Sequence, residues 1–156
     1  LARSGGEAIG PLREGLDSPD PEVRRRAVVT LVEIRHPTAT DVLREALTHD
    51  DGQVRRASAL ELGSRGVTDA VPTLIEMVFE GTNDVDAADA LGMLGSADSI
   101  VAALMDGPGD LPTRLRVTQA LASIPGQAAS RALRELTGDA DRSIALTAEY
   151  ILGLRE

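Results

Sequence analysis

Few residues in this chain have the types and spacing that chemistry needs. There are two histidines, His36 and His49, and no cysteine. The segment His49–Asp50–Asp51 offers one imidazole and two adjacent carboxylates, fewer convergent ligands than a zinc site uses. Asn83–Asp84–Val85–Asp86, with Asp89, hints at a cation loop. It lacks the Gly and the distal Glu of an EF-hand, and helix capping accounts for it better. Gly63–Ser64–Arg65–Gly66 is not a nucleophile elbow, which needs a strand before it. No phosphate-binding loop or dinucleotide fingerprint occurs. Without cysteine there is no disulfide, thiolate ligand or thiol nucleophile. The expectation is therefore no catalytic residue, no metal and no cofactor.

Charge is the more informative chemistry. The chain has 156 residues, 16 basic and 25 acidic, for a net charge of −9, and every basic residue is Arg. Residues 1–65 and 114–156 are close to neutral. Residues 66–113 carry no Arg and nine acids: Asp69, Glu76, Glu80, Asp84, Asp86, Asp89, Asp98, Asp106 and Asp110. Capping at helix starts explains Asp69, Asp84, Asp86 and Asp98, because anions complement the N-terminal dipole. It does not explain Glu76, Glu80 or Asp106, late in their helices, nor the absent Arg. The net charge disfavours nucleic acid, which needs a basic face. One Phe, one Tyr and no Trp leave no base-stacking platform. No apolar run approaches the ~20 residues of a membrane span. Lack of cysteine suits a reducing compartment, so the expected location is cytoplasmic; the Arg-only basic set with much Ala and Gly suits a bacterial source.

These residues must be positioned by a repeat. Val23–Arg24 recurs as Val54–Arg55, and Leu12–Arg13–Glu14 as Leu43–Arg44–Glu45, loosely as Leu74–Ile75–Glu76, and again as Leu133–Arg134–Glu135. Leu31, Leu62, Leu91, Leu121 and Leu152 mark successive copies about 30 residues apart. Each copy reads as two helices. Val23, Ala27, Leu31 and Ile34 are spaced for a helix, as are Val71, Leu74, Ile75 and Val78. Asp20–Pro21 and Asp110–Leu111–Pro112 are start signals, and Gly63, Gly66, Gly95 and Gly126 are turns between helices. First helices are expected near 21–35, 53–64, 84–94, 112–124 and 141–154. Second helices are expected near 7–16, 38–48, 69–80, 98–106 and 127–137. No stretch alternates with period two, so the fold class is all-α. A pair of this size cannot bury its apolar face alone, and stacked neighbours can, which gives an α-α superhelix of about five helix pairs over 1–156. Small Ala and Leu side chains pack such pairs without aromatics; Tyr150 is expected to pack.

The pattern Asp-Pro-x-Val-Arg-x-x-Ala at 20–27, the small-Leu-Gly turn and Ala70–Val71–Pro72–x–Leu74 resemble HEAT-like repeats of the phycobilisome-lyase type, across nearly the whole chain. The resemblance implies a protein-binding scaffold. It also implies that Arg24, Arg55 and Arg114, with Asp20, Asp51 and Asp110, form a structural ladder between neighbouring copies. The ladder position is Asp84 in one copy and Ala145 in the last. The resemblance further brings an alternative, an accessory protein or enzyme of the bilin-lyase type; open ends would suit a regulatory domain of a larger enzyme.

The resulting expectation is a non-catalytic interaction scaffold. Its partner would be a protein with a basic or amphipathic surface, held by Glu45, Glu76, Met77, Glu80, Asp84, Asp86 and Met105. For Phe79 and Met105, core filling is the simpler role. The chain opens on a second-type helix and closes on a first-type helix, as a piece of a longer polypeptide would, or one that associates end to end.

Overall fold

The computed structural model describes residues 2–156, with side chains from residue 6 onward. Among the described residues there are ten α-helices and no strand. In chain order they are α1 (Ala2–Leu16), α2 (Pro21–Glu33), α3 (Pro37–Glu45), α4 (Gly52–Ser64), α5 (Val71–Glu80), α6 (Asp84–Met93), α7 (Ala97–Met105), α8 (Leu111–Ala120), α9 (Gln127–Leu136) and α10 (Arg142–Arg155). Short 3₁₀ turns at Ala46–Thr48, Thr68–Ala70 and Leu121–Ser123 extend or introduce three of them. The helices stand where hydrophobic spacing places them. The largest departure is α1, which starts five residues early and carries Pro11 inside it.

Local chemistry sets the starts. The carboxylates of Asp20, Asp51, Asp110 and Asp141 accept backbone N–H groups in the first turns of α2, α4, α8 and α10. His36 caps α3 instead, its Nδ1 accepting the N–H of Thr38 at 3.2 Å. Asn83, before α6, has a left-handed backbone with φ of 48° and no side-chain cap.

Two compact units are present, divided between Thr73 and Leu74, inside α5. In the first, α2 packs on α1 and α4, while α3 packs on α1 and on α4. In the second, α8 packs on α6 and α10, and α9 on α7 and α10. Each unit is thus two layers of packed helix pairs, the arrangement of a HEAT-like solenoid. Leu31, Leu43 and Leu62 are fully buried in the first core, and Leu91, Leu121 and Leu133 in the second. Ala27, Ala59, Ala87, Ala129 and Ala148 at the contacts let the helices approach closely without aromatic filling.

Three expectations are corrected. Gly63 is not a turn; it lies buried inside α4. Tyr150 does not pack, being 70% exposed on α10. Met77 belongs to the core, 1% exposed, because its position on α5 falls on the face shared with Leu74 and Val78.

One core atom is out of place. The Ser58 hydroxyl is fully buried in α4 and has no hydrogen-bond partner. At the matching positions of α2 and α6 stand Ala27 and Ala87. An orphaned hydroxyl costs about 1–3 kcal/mol, and Ala is the better helix former. Ser58→Ala is therefore expected to stabilise the first unit by about 1 kcal/mol, read as a higher urea midpoint at unchanged slope.

Candidate interaction surface

The ladder residues divide by role. Arg24 Nε donates to Asp51 Oδ2 at 2.8 Å, joining one copy of the repeat to the cap of the next, and its Nη1 donates to the Ser18 carbonyl at 2.7 Å. Arg114 pairs with Asp139, two residues before the cap Asp141. Arg55 has no carboxylate partner among the described residues; it donates to the carbonyls of His49 and Asp50 at 2.6 and 2.9 Å. Asp20 and Asp110 cap their own helices, through the N–H groups of Glu22 and Thr113, rather than holding an arginine.

The guanidinium beside Asp51 holds that carboxyl below its ordinary range, helped by the N–H of Gln53. Asp139 is lowered by the N–H of Asp141 and then by Arg114, and Asp110 by the N–H and hydroxyl of Thr113. A carboxyl lowered by folding contributes stability above its unfolded value and loses it as pH falls through its folded value. Between about pH 5 and about pH 3 the melting temperature is expected to drop, and to drop less in Asp51→Asn, as followed by circular dichroism.

Sequence reasoning missed a second set of arginines, which close helix C-termini. Arg65 donates to the carbonyls of Leu31, Val32 and Ile34 at the end of α2, to Thr40 Oγ1 at 2.8 Å and to Glu61 at 2.8 Å. Arg155 does the same for the chain after α8, bonding the carbonyls of Leu121, Ile124 and Gly126. Arg116 reaches over Gly81 to the carbonyls of Val78 and Phe79 at the end of α5. The signal was available in part: Arg65 and Arg155 each stand three residues after a repeat-marking leucine, Leu62 and Leu152.

Helix α6 has neither arginine. Matched on its buried Ala87, Ala88 and Leu91, it begins one turn late. That puts Asp84 in the place of Arg24 and Arg114, and Leu94 in the place of Arg65. The acids around it are also unneutralised. Glu76 and Glu80 are exposed one turn apart on α5, and Asp86 is exposed on α6. Among the described residues none of these, nor Asp84, Asp98 or Asp106, forms an ion pair. In the first unit Glu22, Asp41, Glu45, Asp51 and Glu61 are all paired with arginine. Glu45 is thereby set apart from the other expected contact residues, since Arg13 lies 3.3 Å from it. Met105 is 37% exposed and Phe79 half-buried.

Among the described residues no group of His, Asp and Glu could hold a metal ion, and no helix is long and apolar enough to cross a membrane. His49 is engaged elsewhere, its Nδ1 accepting the N–H of Asp51 at 3.0 Å. A family model described as HEAT repeats matches residues 9–95, more than half of the chain. No curated protein matches it.

Proposed function

Given that the chain belongs to the HEAT repeat family, we propose that it is a non-catalytic scaffold that binds a protein partner of basic or amphipathic surface through the acids of its middle third. HEAT repeats commonly mediate protein–protein interaction, and the family is generally non-catalytic. The observation that carries the reading is the contrast between paired and unpaired carboxylates. Outside residues 66–113, Glu22, Asp41, Glu45, Asp51, Glu61 and Asp139 are paired with arginine, and within that stretch Asp69 is, whereas among the described residues Glu76, Glu80, Asp84 and Asp86 have no cation within ion-pair distance. Unscreened like charges repel one another and raise the rate at which an oppositely charged partner docks.

The test is charge reversal at Glu76→Arg and Glu80→Arg, both exposed, so that folding is preserved. Capture of partner proteins from a native extract is expected to be lost, and wild-type capture to weaken as salt rises. An unchanged set of captured proteins would sink the proposal.

A further inference from the structure

Counting back six residues from each repeat-marking leucine gives Arg25 and Arg56 in the first unit, and Val85, Leu115 and Leu146 in the second. In α6, α8 and α10 that position falls on the side of the helix opposite the buried residues, at 3.6 residues per turn. Val85 and Leu146 are exposed and Leu115 is half-buried. Because α8 packs on both α6 and α10, the three side chains form one apolar row across adjacent helices. Tyr150 and Leu154, both exposed, extend the row along α10 in steps of four residues. In the first unit the position is charged, and Arg25 is paired with Glu22. The row therefore belongs to the second unit and not to the repeat.

Contiguous exposed apolar side chains mark interaction sites, whereas single ones do not. Tyrosine is enriched at the centres of such sites, and Tyr150 is the one tyrosine of the chain. The net charge beside the row is negative. Asp84 and Asp86 flank Val85 on α6, and among the described residues neither forms an ion pair. On α10 the exposed Arg142 and Glu149 offset one another. Arg116 of α8 is committed to the carbonyls of Val78 and Phe79.

We propose that this outer face of α6, α8 and α10 docks an amphipathic helix of a partner protein, its apolar side on the row and its basic residues at Asp84 and Asp86. Two steps between adjacent helices make the row roughly 18 Å long. At 1.5 Å per residue, about 12 helical residues cover it, with anchors at i, i+3, i+4 and i+7. The charge on α6 sets the direction: the basic end lies over α6, and the apolar end over α10. This deepens the scaffold reading above and rests on it for the partner being a protein, although Glu76 and Glu80 stand on another helix, α5.

Helix-forming peptides of about 14 residues, free of tyrosine, with leucines at that spacing and either Lys or Glu confined to one end, test the proposal on the full chain. The Lys peptide is expected to bind and to shift the NMR ring signals of Tyr150. Leu146→Glu and Tyr150→Ala, both at exposed sites, are each expected to weaken it at least tenfold, with circular dichroism melting unchanged. Asp84→Asn with Asp86→Asn is expected to weaken it severalfold and to flatten its salt dependence. Unmoved Tyr150 signals, or full affinity in Leu146→Glu, overturns the row as the docking face. Equal affinity for the Lys and Glu peptides overturns the role of the acids. A wild-type chain that doubles in mass with concentration, and stays single in Leu146→Glu, names a second copy as the occupant and overturns the partner helix. Partner capture unchanged by reversal at Glu76 and Glu80, with the peptide results as expected, overturns the reading at α5 alone and leaves this face standing.

Discussion

Replacing Arg65 by methionine is expected to lower the stability of the first unit by about 3 kcal/mol, at the low end of what breaking a buried ion pair costs. The side chain is only 10% exposed, and Glu61, its partner, 14%. Methionine keeps the aliphatic stem and removes every donor. Glu61 then stays behind as a carboxylate with little water, and the carbonyls of Leu31, Val32 and Ile34 lose their shared partner. Urea unfolding followed by circular dichroism gives the magnitude, and hydrogen exchange should report the loss at the α2–α3 turn. The double change Glu61→Leu with Arg65→Met should recover much of the loss, since no unpaired charge remains. Arg155→Met separates the two contributions. Arg155 makes matching carbonyl bonds but has no carboxylate partner among the described residues, so its loss should cost about 1 kcal/mol. Equal effects at Arg65 and Arg155 would show that the ion pair contributes nothing.

A glycine-to-alanine change should have opposite signs at two matching positions. Gly92 follows Leu91 near the end of α6, and Gly153 follows Leu152 near the end of α10. A helix interior ordinarily gains up to about 1 kcal/mol from Gly→Ala. At Gly153 a new methyl would meet nothing within 4 Å, and that gain should appear as a higher melting temperature. At Gly92 the methyl would fall well inside contact distance of the Ser123 carbonyl oxygen, with the carbonyl carbon 3.2 Å away. Both are backbone atoms, so relief requires moving the 3₁₀ turn at Leu121–Ser123 away from α6. Overpacking of this kind costs about 1–3 kcal/mol and sometimes more, which outweighs the propensity gain. Gly92→Ala is expected to lose about 2 kcal/mol or more, with exchange protection falling in α6 and around Ser123. A stabilised Gly92→Ala protein would mean that the close approach of α6 to that turn is not tight.

The elements were legible because two independent signals agree, the spacing of Leu31, Leu62, Leu91 and Leu121 and the Asp caps ahead of α2 and α8. Asp84 was likewise recognisable as the occupant of a ladder position. What was not legible depends on how far a side chain reaches. Arg24 stretches to the cap of the next copy, Arg114 stops two residues short of it, and Arg55 turns back to carbonyls of the preceding loop. The same motif therefore yields three bonding patterns, according to which acceptor lies nearest. The roles of Arg65 and Arg155 were not legible because most of their partners are backbone carbonyls, which carry no sequence signature. Met77 misled for a related reason: soft apolar residues next to acids look alike on either face of a helix until the helix is docked.

The choice of guanidinium for every tied helix end also sets how the fold meets extremes of acidity. The chain has no lysine. An ammonium clamp would surrender its proton near about pH 10, whereas a guanidinium keeps its charge in proteins. On the other side, the carboxylates of Asp51, Asp110 and Asp139 are the groups that folding has pulled below their ordinary range. The tolerance is therefore lopsided. Acid unpicks the rungs and caps, while alkali finds no clamp at the ends of α2, α5 and α8 that it can neutralise.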